Sequence, residues 1–120
     1  SKTKMIYMVD IDETICETPN NLRDHLGFRD YTKAKPIKRN IERINQLYEE
    51  GHTIIYWTAR GTNSGIDWTE LVHNQLRNWG AKYHKASCGK PHYDVFICDK
   101  AINSEVFFNQ EKKFTDGGGI

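Results

Sequence analysis

The stretch Met5-Ile6-Tyr7-Met8-Val9-Asp10-Ile11-Asp12-Glu13-Thr14 decides how the chain is read. Its first five residues are apolar and rich in β-formers, so residues 4–10 read as a buried, central parallel strand. The run closes on two aspartates with one residue between them. Continued extension would put Asp10 and Asp12 on one face, and a bend just after Asp10 would crowd both at the strand's carboxyl end. Ligands bind at that edge in open α/β sheets. Two carboxylates this close repel each other, and a divalent cation relieves the repulsion. Hard oxygen donors suit Mg²⁺, which takes one or two carboxylates plus waters and substrate phosphate. The plainer alternative is an acidic turn that merely ends a strand, and the pair alone does not decide.

Outward from it, residues 15–35 hold Pro19, Asn20, Asn21 and Gly27 without a sustained period. They read as an irregular excursion with a short helical turn near Asn21–Leu26, either a flap over the acidic pair or a disordered insertion. A helix is expected over Pro36–Glu50, where Ile37, Ile41, Ile44, Leu47 and Tyr48 form one apolar stripe. Pro36 suits its first turn and Gly51 its stop. His52–Trp57 follows as a second buried strand ending in Thr58-Ala59-Arg60-Gly61. A second helix covers Asp67–Trp79, with Trp68, Leu71, Val72, Leu76 and Trp79 facing the core. Lys82–Ala86 reads as a short strand, and Asp94–Asp99 as another apolar run closing on an aspartate. Asn103–Phe108 reads as a terminal helix capped by Asn103 or Ser104, and Thr115–Ile120 as a frayed tail.

Alternating strands and helices imply an α/β fold, a three-layer Rossmann-like sandwich with a parallel sheet of four or five strands. At 120 residues one domain is expected, with little room for a second lobe. The formal charge of +1, from 17 basic and 16 acidic residues, provides no strong field for nucleic acid or a membrane surface. No run approaches the roughly 20 apolar residues of a membrane span, and no secretory signal pattern opens the sequence. Cys16, Cys88 and Cys98 lack CxxC spacing, which argues against a disulfide framework or zinc site and fits a reducing cytoplasm. The five histidines show no metal-ligand pairing and read as surface or loop residues. A GxGxxG fingerprint is absent, which argues against dinucleotide binding.

Three strands end in polar residues: Asp10 and Asp12, Thr58, and Asp99. In a parallel sheet those ends share one edge, and Lys90 precedes the last strand. Carboxylates, a hydroxyl and an amine together suit a phosphate ester, with Mg²⁺ bridging carboxylates to the phosphoryl group. Thr58 as a simple turn cap, and Lys85 in place of Lys90, are the competing readings. Trp57, Trp68 and Trp79 read as core.

With these residues in place the sequence resembles the haloacid dehalogenase (HAD) superfamily of phosphohydrolases. Its DxDx[TV] motif matches Asp10-Ile11-Asp12-Glu13-Thr14, its Thr/Ser motif Thr58, its lysine Lys90 in Gly89-Lys90-Pro91, and its final acidic motif Asp99. The resemblance spans residues 4–108 and implies roles. Asp10 is the nucleophile and Asp12 the general acid and base. Asp10, the Asp12 backbone carbonyl and Asp99 hold Mg²⁺, Thr58 binds the phosphoryl group, and Lys90 neutralises charge. Thr58, Ala59, Arg60 and Lys90 form the substrate-binding set, with Arg60 contacting a second anionic group or pairing with Glu13. Glu13 stands where glycine is usual, and Cys98 where many members carry another aspartate. Asn103 is placed to help through the metal's waters, and Asp94 reads as a structural acid or one that supports the metal's ligands from behind. The absence of a cap, with the turns around Thr58 and Lys90, looks most like small capless sugar-phosphate phosphatases of surface-polysaccharide synthesis. A small phosphorylated substrate and a homo-oligomer are therefore expected. A nucleotide, nucleic-acid end or phosphoprotein substrate, and a non-catalytic phosphate-binding module, are the alternatives.

Overall fold

The apolar β-formers after Met5 make a strand, β1 (Ile6–Asp10). The chain then runs through β2 (Cys16–Glu17), a 3-10 turn at Tyr31–Lys33, β3 (Lys35–Pro36), α1 (Lys38–Glu49), β4 (Thr53–Trp57), α2 (Thr69–Asn78), β5 (Lys85–Ser87) and α3 (Ser104–Thr115). The structure, a computed structural model, describes residues 3–19, 21, 23 and 27–115, with side chains through Asn109. The turn expected at Asn21–Leu26 falls largely outside the described residues, as do residues 116–120.

The main sheet has the order β1-β4-β5 and is parallel throughout. Asp10 lies opposite Trp57, and Trp57 opposite Ser87, so all three strands deliver their carboxyl ends to one edge. The α/β expectation is met at this level: a three-stranded parallel sheet with helices. Side chains alternate across a sheet, so Val9, Ile54 and Tyr56 share a face. They form one buried cluster with Ile41, Ile44 and Leu47 of α1 and Val72 and Leu76 of α2. Trp68 and Trp79 pack against that cluster, as the apolar stripe requires.

Two expectations change here. β1 is an edge strand rather than a central one, and Ile6 and Met8 are 72% and 59% exposed. Asp94–Asp99 forms no strand; Val95, Phe96 and Ile97 are 74%, 59% and 92% exposed. The physical reason is the connection. Only residues 88–93 separate β5 from this run, whereas a parallel crossover takes about a dozen residues or more. Composition alone marked the run as a strand, but the chain gives it no conventional way back.

Smaller shifts have local causes. Pro36 pairs with Cys16 in a two-stranded antiparallel sheet, and the Ile37 N–H donates to the Ile15 carbonyl at 2.8 Å, so α1 starts two residues late. The third strand of the sheet covers Lys85–Ser87 rather than 82–86. Asn103 caps α3, accepting from the Glu105 N–H at 2.9 Å. Of the histidines expected at surface or loop positions, His84 and His92 are exposed in loops, whereas His52 is buried. The buried His52 accepts from the Met5 N–H, and His84 from the Ile54 N–H, both at 3.1 Å. Among the described residues no helix is long and apolar enough to cross a membrane.

Candidate functional site

The acidic pair is set by a tight turn at the end of β1. The Ile11 N–H donates to Asp10 Oδ1, while the Ile11 carbonyl accepts from the N–H groups of Thr14 and Ile15 at 3.2 and 2.9 Å. Ile11, Ile15 and Cys16 are buried and anchor the turn. Glu13 sits inside it with φ +62°, a left-handed conformation that favours glycine. The bend expected after Asp10 is therefore present, and both carboxylates reach the sheet edge.

Lys90 reaches Asp10 through backbone that extends the β4–β5 pairing. The Thr58 N–H donates to the Ser87 carbonyl, and the Lys90 N–H to the Thr58 carbonyl, each at 3.1 Å. The Thr62 hydroxyl then holds the Lys90 carbonyl at 2.8 Å. Lys90 Nζ lies 3.0 Å from Asp10 Oδ2, with the lysine side chain 14% exposed and the aspartate 41%. Burial opposes the charge of Lys90, but hydrogen bonds to Asp10 and Tyr93 outweigh it and hold the ammonium above the ordinary lysine value.

Asp12 faces a different set. Thr58, fully buried, donates its hydroxyl to Asp12 Oδ2 at 2.8 Å. Arg60 donates Nε and Nη2 to Asp12 Oδ1 at 3.0 and 2.9 Å. Arg60 does not pair with Glu13; Arg29 stands there instead, at 3.7 Å. The Cys16 thiol lies 3.6 Å from Asp12 Oδ1, and burial, reinforced by that carboxylate, pushes it up to about 12.

These groups border a cleft of about 280 Å³ lined by Asp10, Asp12, Ala59, Arg60 and Lys90, with Arg29 and Tyr31 from the excursion and Pro91, His92 and Tyr93 after β5. Asp10, Asp12, Lys90, Ala59 and Arg60 are thus gathered, with Thr58 bonded beneath Asp12. Asp99 is not. It is exposed in the strandless run after β5 and lines no part of the cleft. Among the described residues no three His, Cys, Asp or Glu side chains gather as a metal cluster. Asp94 is exposed, and Asn103 serves α3.

Sequence reasoning missed Arg29, Tyr31, His92 and Tyr93, which sit in loops without periodicity. It also missed Gln75, buried on α2, whose Oε1 accepts from Arg60 Nη1 at 2.6 Å. A signal for Gln75 existed: a polar residue on the stripe of Val72, Leu76 and Trp79 needs a buried partner. Chemically, the cleft offers a half-exposed carboxylate beside an ammonium, backed by a second carboxylate on a hydroxyl. An ester whose oxyanions the ammonium can receive fits that layout.

No family model and no curated protein matches this chain. A crystal structure of a structural-genomics target from Vibrio cholerae is similar to it, with a TM-score of 0.70 and 24% identity over 88% of each chain. At that identity the likeness shows a shared fold and nothing about activity.

Proposed function

We propose that the protein is a Mg²⁺-dependent phosphomonoesterase of the HAD type, acting on a small phosphate ester such as a sugar phosphate in the cytoplasm. The observation that carries this reading is the convergence of four groups from three distant stretches of the chain: Lys90 on Asp10 at 3.0 Å and Thr58 on Asp12 at 2.8 Å. The cleft volume of about 280 Å³ lies just below the ~300–1,000 Å³ of drug-sized sites, which favours a small ester over a nucleic-acid end. The near-neutral charge points the same way.

Asp10 attacks phosphorus, and the ester P–O bond breaks to leave an aspartyl phosphate. Asp12 gives a proton to the departing oxygen and then takes one from the water that cleaves the acyl phosphate. Thr58 and Lys90 receive phosphoryl oxygens. Asp10 is half-exposed and, with the Asp12 carbonyl, offers the hard oxygen donors a divalent cation takes, while Asp99 lies outside the cleft. Asp10, the Asp12 carbonyl and Asp99 would hold Mg²⁺, which when bound neutralises phosphoryl charge.

This reading includes a fourth strand. Residues 94–98 would seat on the open edge of β1 and carry Asp99 toward Asp10. Such a strand would be reached by an unconventional connection, six residues with no crossover helix. The exposed apolar residues on both sides, Ile6 and Met8 on β1 and Val95 and Ile97 on the run, support that seating and the Rossmann-like layering with it. A second reading, a phosphate-binding module without turnover, draws on the position of Asp99 outside the cleft.

Release of phosphate from p-nitrophenyl phosphate, with and without Mg²⁺, tests the choice. Wild type is expected to turn over with Mg²⁺, and Asp10→Asn to lose at least about a thousandfold in kcat. Asp99→Asn is expected to raise the Mg²⁺ requirement about tenfold or more. An inert wild type, or an active Asp10→Asn, overturns the enzyme; an unchanged Mg²⁺ response in Asp99→Asn removes the fourth strand.

A further inference from the structure

Arg60 lines the cleft, yet its side chain is 0% exposed and its donors are turned inward. A guanidinium has five N–H groups. Four are engaged: Nε and one Nη2 hydrogen serve Asp12, the second Nη2 hydrogen faces Cys16 Sγ at 3.7 Å, and one Nη1 hydrogen goes to Gln75, while the fifth, on Nη1, is enclosed with the rest of the 0% exposed side chain. The flat face of the group lies over the Tyr31 ring at 4.7 Å. Reaching a substrate anion would mean giving up these buried partners, and an unpaired buried charge is costly.

We propose that Arg60 is a positioning residue that acts through Asp12 and does not bind the substrate. The proposal rests on the phosphomonoesterase reading and deepens it. Asp12 is gripped at both oxygens, with Arg60 chiefly on Oδ1 and the Thr58 hydroxyl on Oδ2. The same hydroxyl accepts from the Arg60 N–H at 3.1 Å. When Thr58 turns its hydrogen toward a phosphoryl oxygen, Oδ2 keeps only the longer Arg60 Nε contact at 3.2 Å, while Arg60 holds Oδ1 at 3.0 and 2.9 Å. The more weakly held oxygen can then exchange a proton with the leaving group, and the carboxylate cannot swing away. The brace extends outward, since Gln75 Nε2 donates to the Tyr31 carbonyl at 2.8 Å, tying α2 and the excursion to the same arginine.

A double-mutant cycle on p-nitrophenyl phosphate turnover tests this, because its leaving group departs without a proton and keeps Asp12→Asn measurable. Arg60→Gln is expected to lower kcat about 100-fold, in the hydrolysis of the aspartyl phosphate where Asp12 takes the water's proton, with no rise in KM. In the Asp12→Asn background the same change is expected to cost little. Arg60→Lys, which keeps the charge, is expected to restore part of kcat. Gln75→Leu, which loosens the brace and leaves both charges in place, is expected to show the same kcat-only signature at about tenfold. It carries the test if Arg60→Gln does not fold. A tenfold rise in KM in both backgrounds would assign Arg60 to the substrate, and an equal kcat loss in both would assign it to the fold; either overturns the proposal alone. An inert wild type overturns the phosphomonoesterase reading and this proposal together.

Discussion

Met5–Asp10 and Asp94–Asp99 are near-copies in pattern, each an apolar, β-forming run that closes on an aspartate. Residues 6–10 of the first form a strand; the second does not. Composition does not separate them, so context must. Behind the first run stand a full helix and a second strand, the βαβ unit that lets Ile6–Asp10 pair in parallel with Thr53–Trp57. The Met5 carbonyl accepts from the Thr53 N–H at 2.9 Å, and the Met5 N–H donates to His52. Ahead of the second run stand only six residues and no helix. A strand is made by what it pairs with, and β-propensity supplies only the willingness.

The sharpest way to break this contrast is to truncate one isoleucine in the paired sheet and one in the unpaired run. Ile54 is fully buried in β4, directly beside β1, and Ile97 is 92% exposed. Ile54→Ala is expected to cost about 2–5 kcal/mol of unfolding free energy, and Ile97→Ala about 0.5 kcal/mol or less. Urea denaturation measures both. Similar losses at the two sites would mean that residues 94–98 are seated on β1 in solution, as the proposed fourth strand requires.

Thiol chemistry reads the same contrast more gently. Cys16 follows the first run and is buried, whereas Cys98 lies in the second and is exposed. Iodoacetamide is expected to label Cys98 first and Cys16 only on unfolding, with Cys88, half-buried and also raised by burial, between them. Slower labelling of Cys98 in Mg²⁺ and phosphate would report seating of the run. The Cys16 thiol also gives a pH signature. Its folded value, about 12 against 9.0 for the free group, is raised, so the stability it contributes is intact below pH 9.0 and is lost as pH rises toward 12. Cys16→Ala is expected to flatten that alkaline slope.

How far the sequence could be read follows from what each residue depends on. Lys90, in a loop past β5, was reached through the resemblance. The meeting of Asp10, Asp12 and Thr58 was legible because their positions follow from strand ends, and hydrophobic periodicity marks strand ends. The stripe of α1 was legible for the same reason, down to buried Ile41, Ile44 and Leu47. Asp99 was marked by the same rule, and the rule is silent on whether a connection is long enough. Arg60 was marked as part of the site, but its partner was not. A guanidinium three residues past a strand can point outward to substrate or inward to a carboxylate, and burial decides between them. Gln75 and Tyr31 close that choice from an α2 face and an aperiodic loop, respectively, neither of which announces a long-range contact.

Glu13 offers the smallest and most local test, at the turn that makes the first run end in a site. With φ +62° it holds a left-handed conformation, where a β-carbon meets the backbone. Glu13→Gly is expected to relieve about 1 kcal/mol of that strain. Against this stands its 3.7 Å pairing with Arg29, an exposed contact of the carboxylate at 58% exposure, worth about 0.5 kcal/mol or less. Relief wins, so the melting temperature should rise by a few degrees. Arg29 lines the cleft, and losing its carboxylate partner leaves more positive charge beside Asp10. KM for an anionic ester should therefore fall slightly, and more at low salt. A melting temperature that drops instead would mean that the turn is held by the Arg29 contact, and that the end of the first run depends on the excursion as much as on its own backbone.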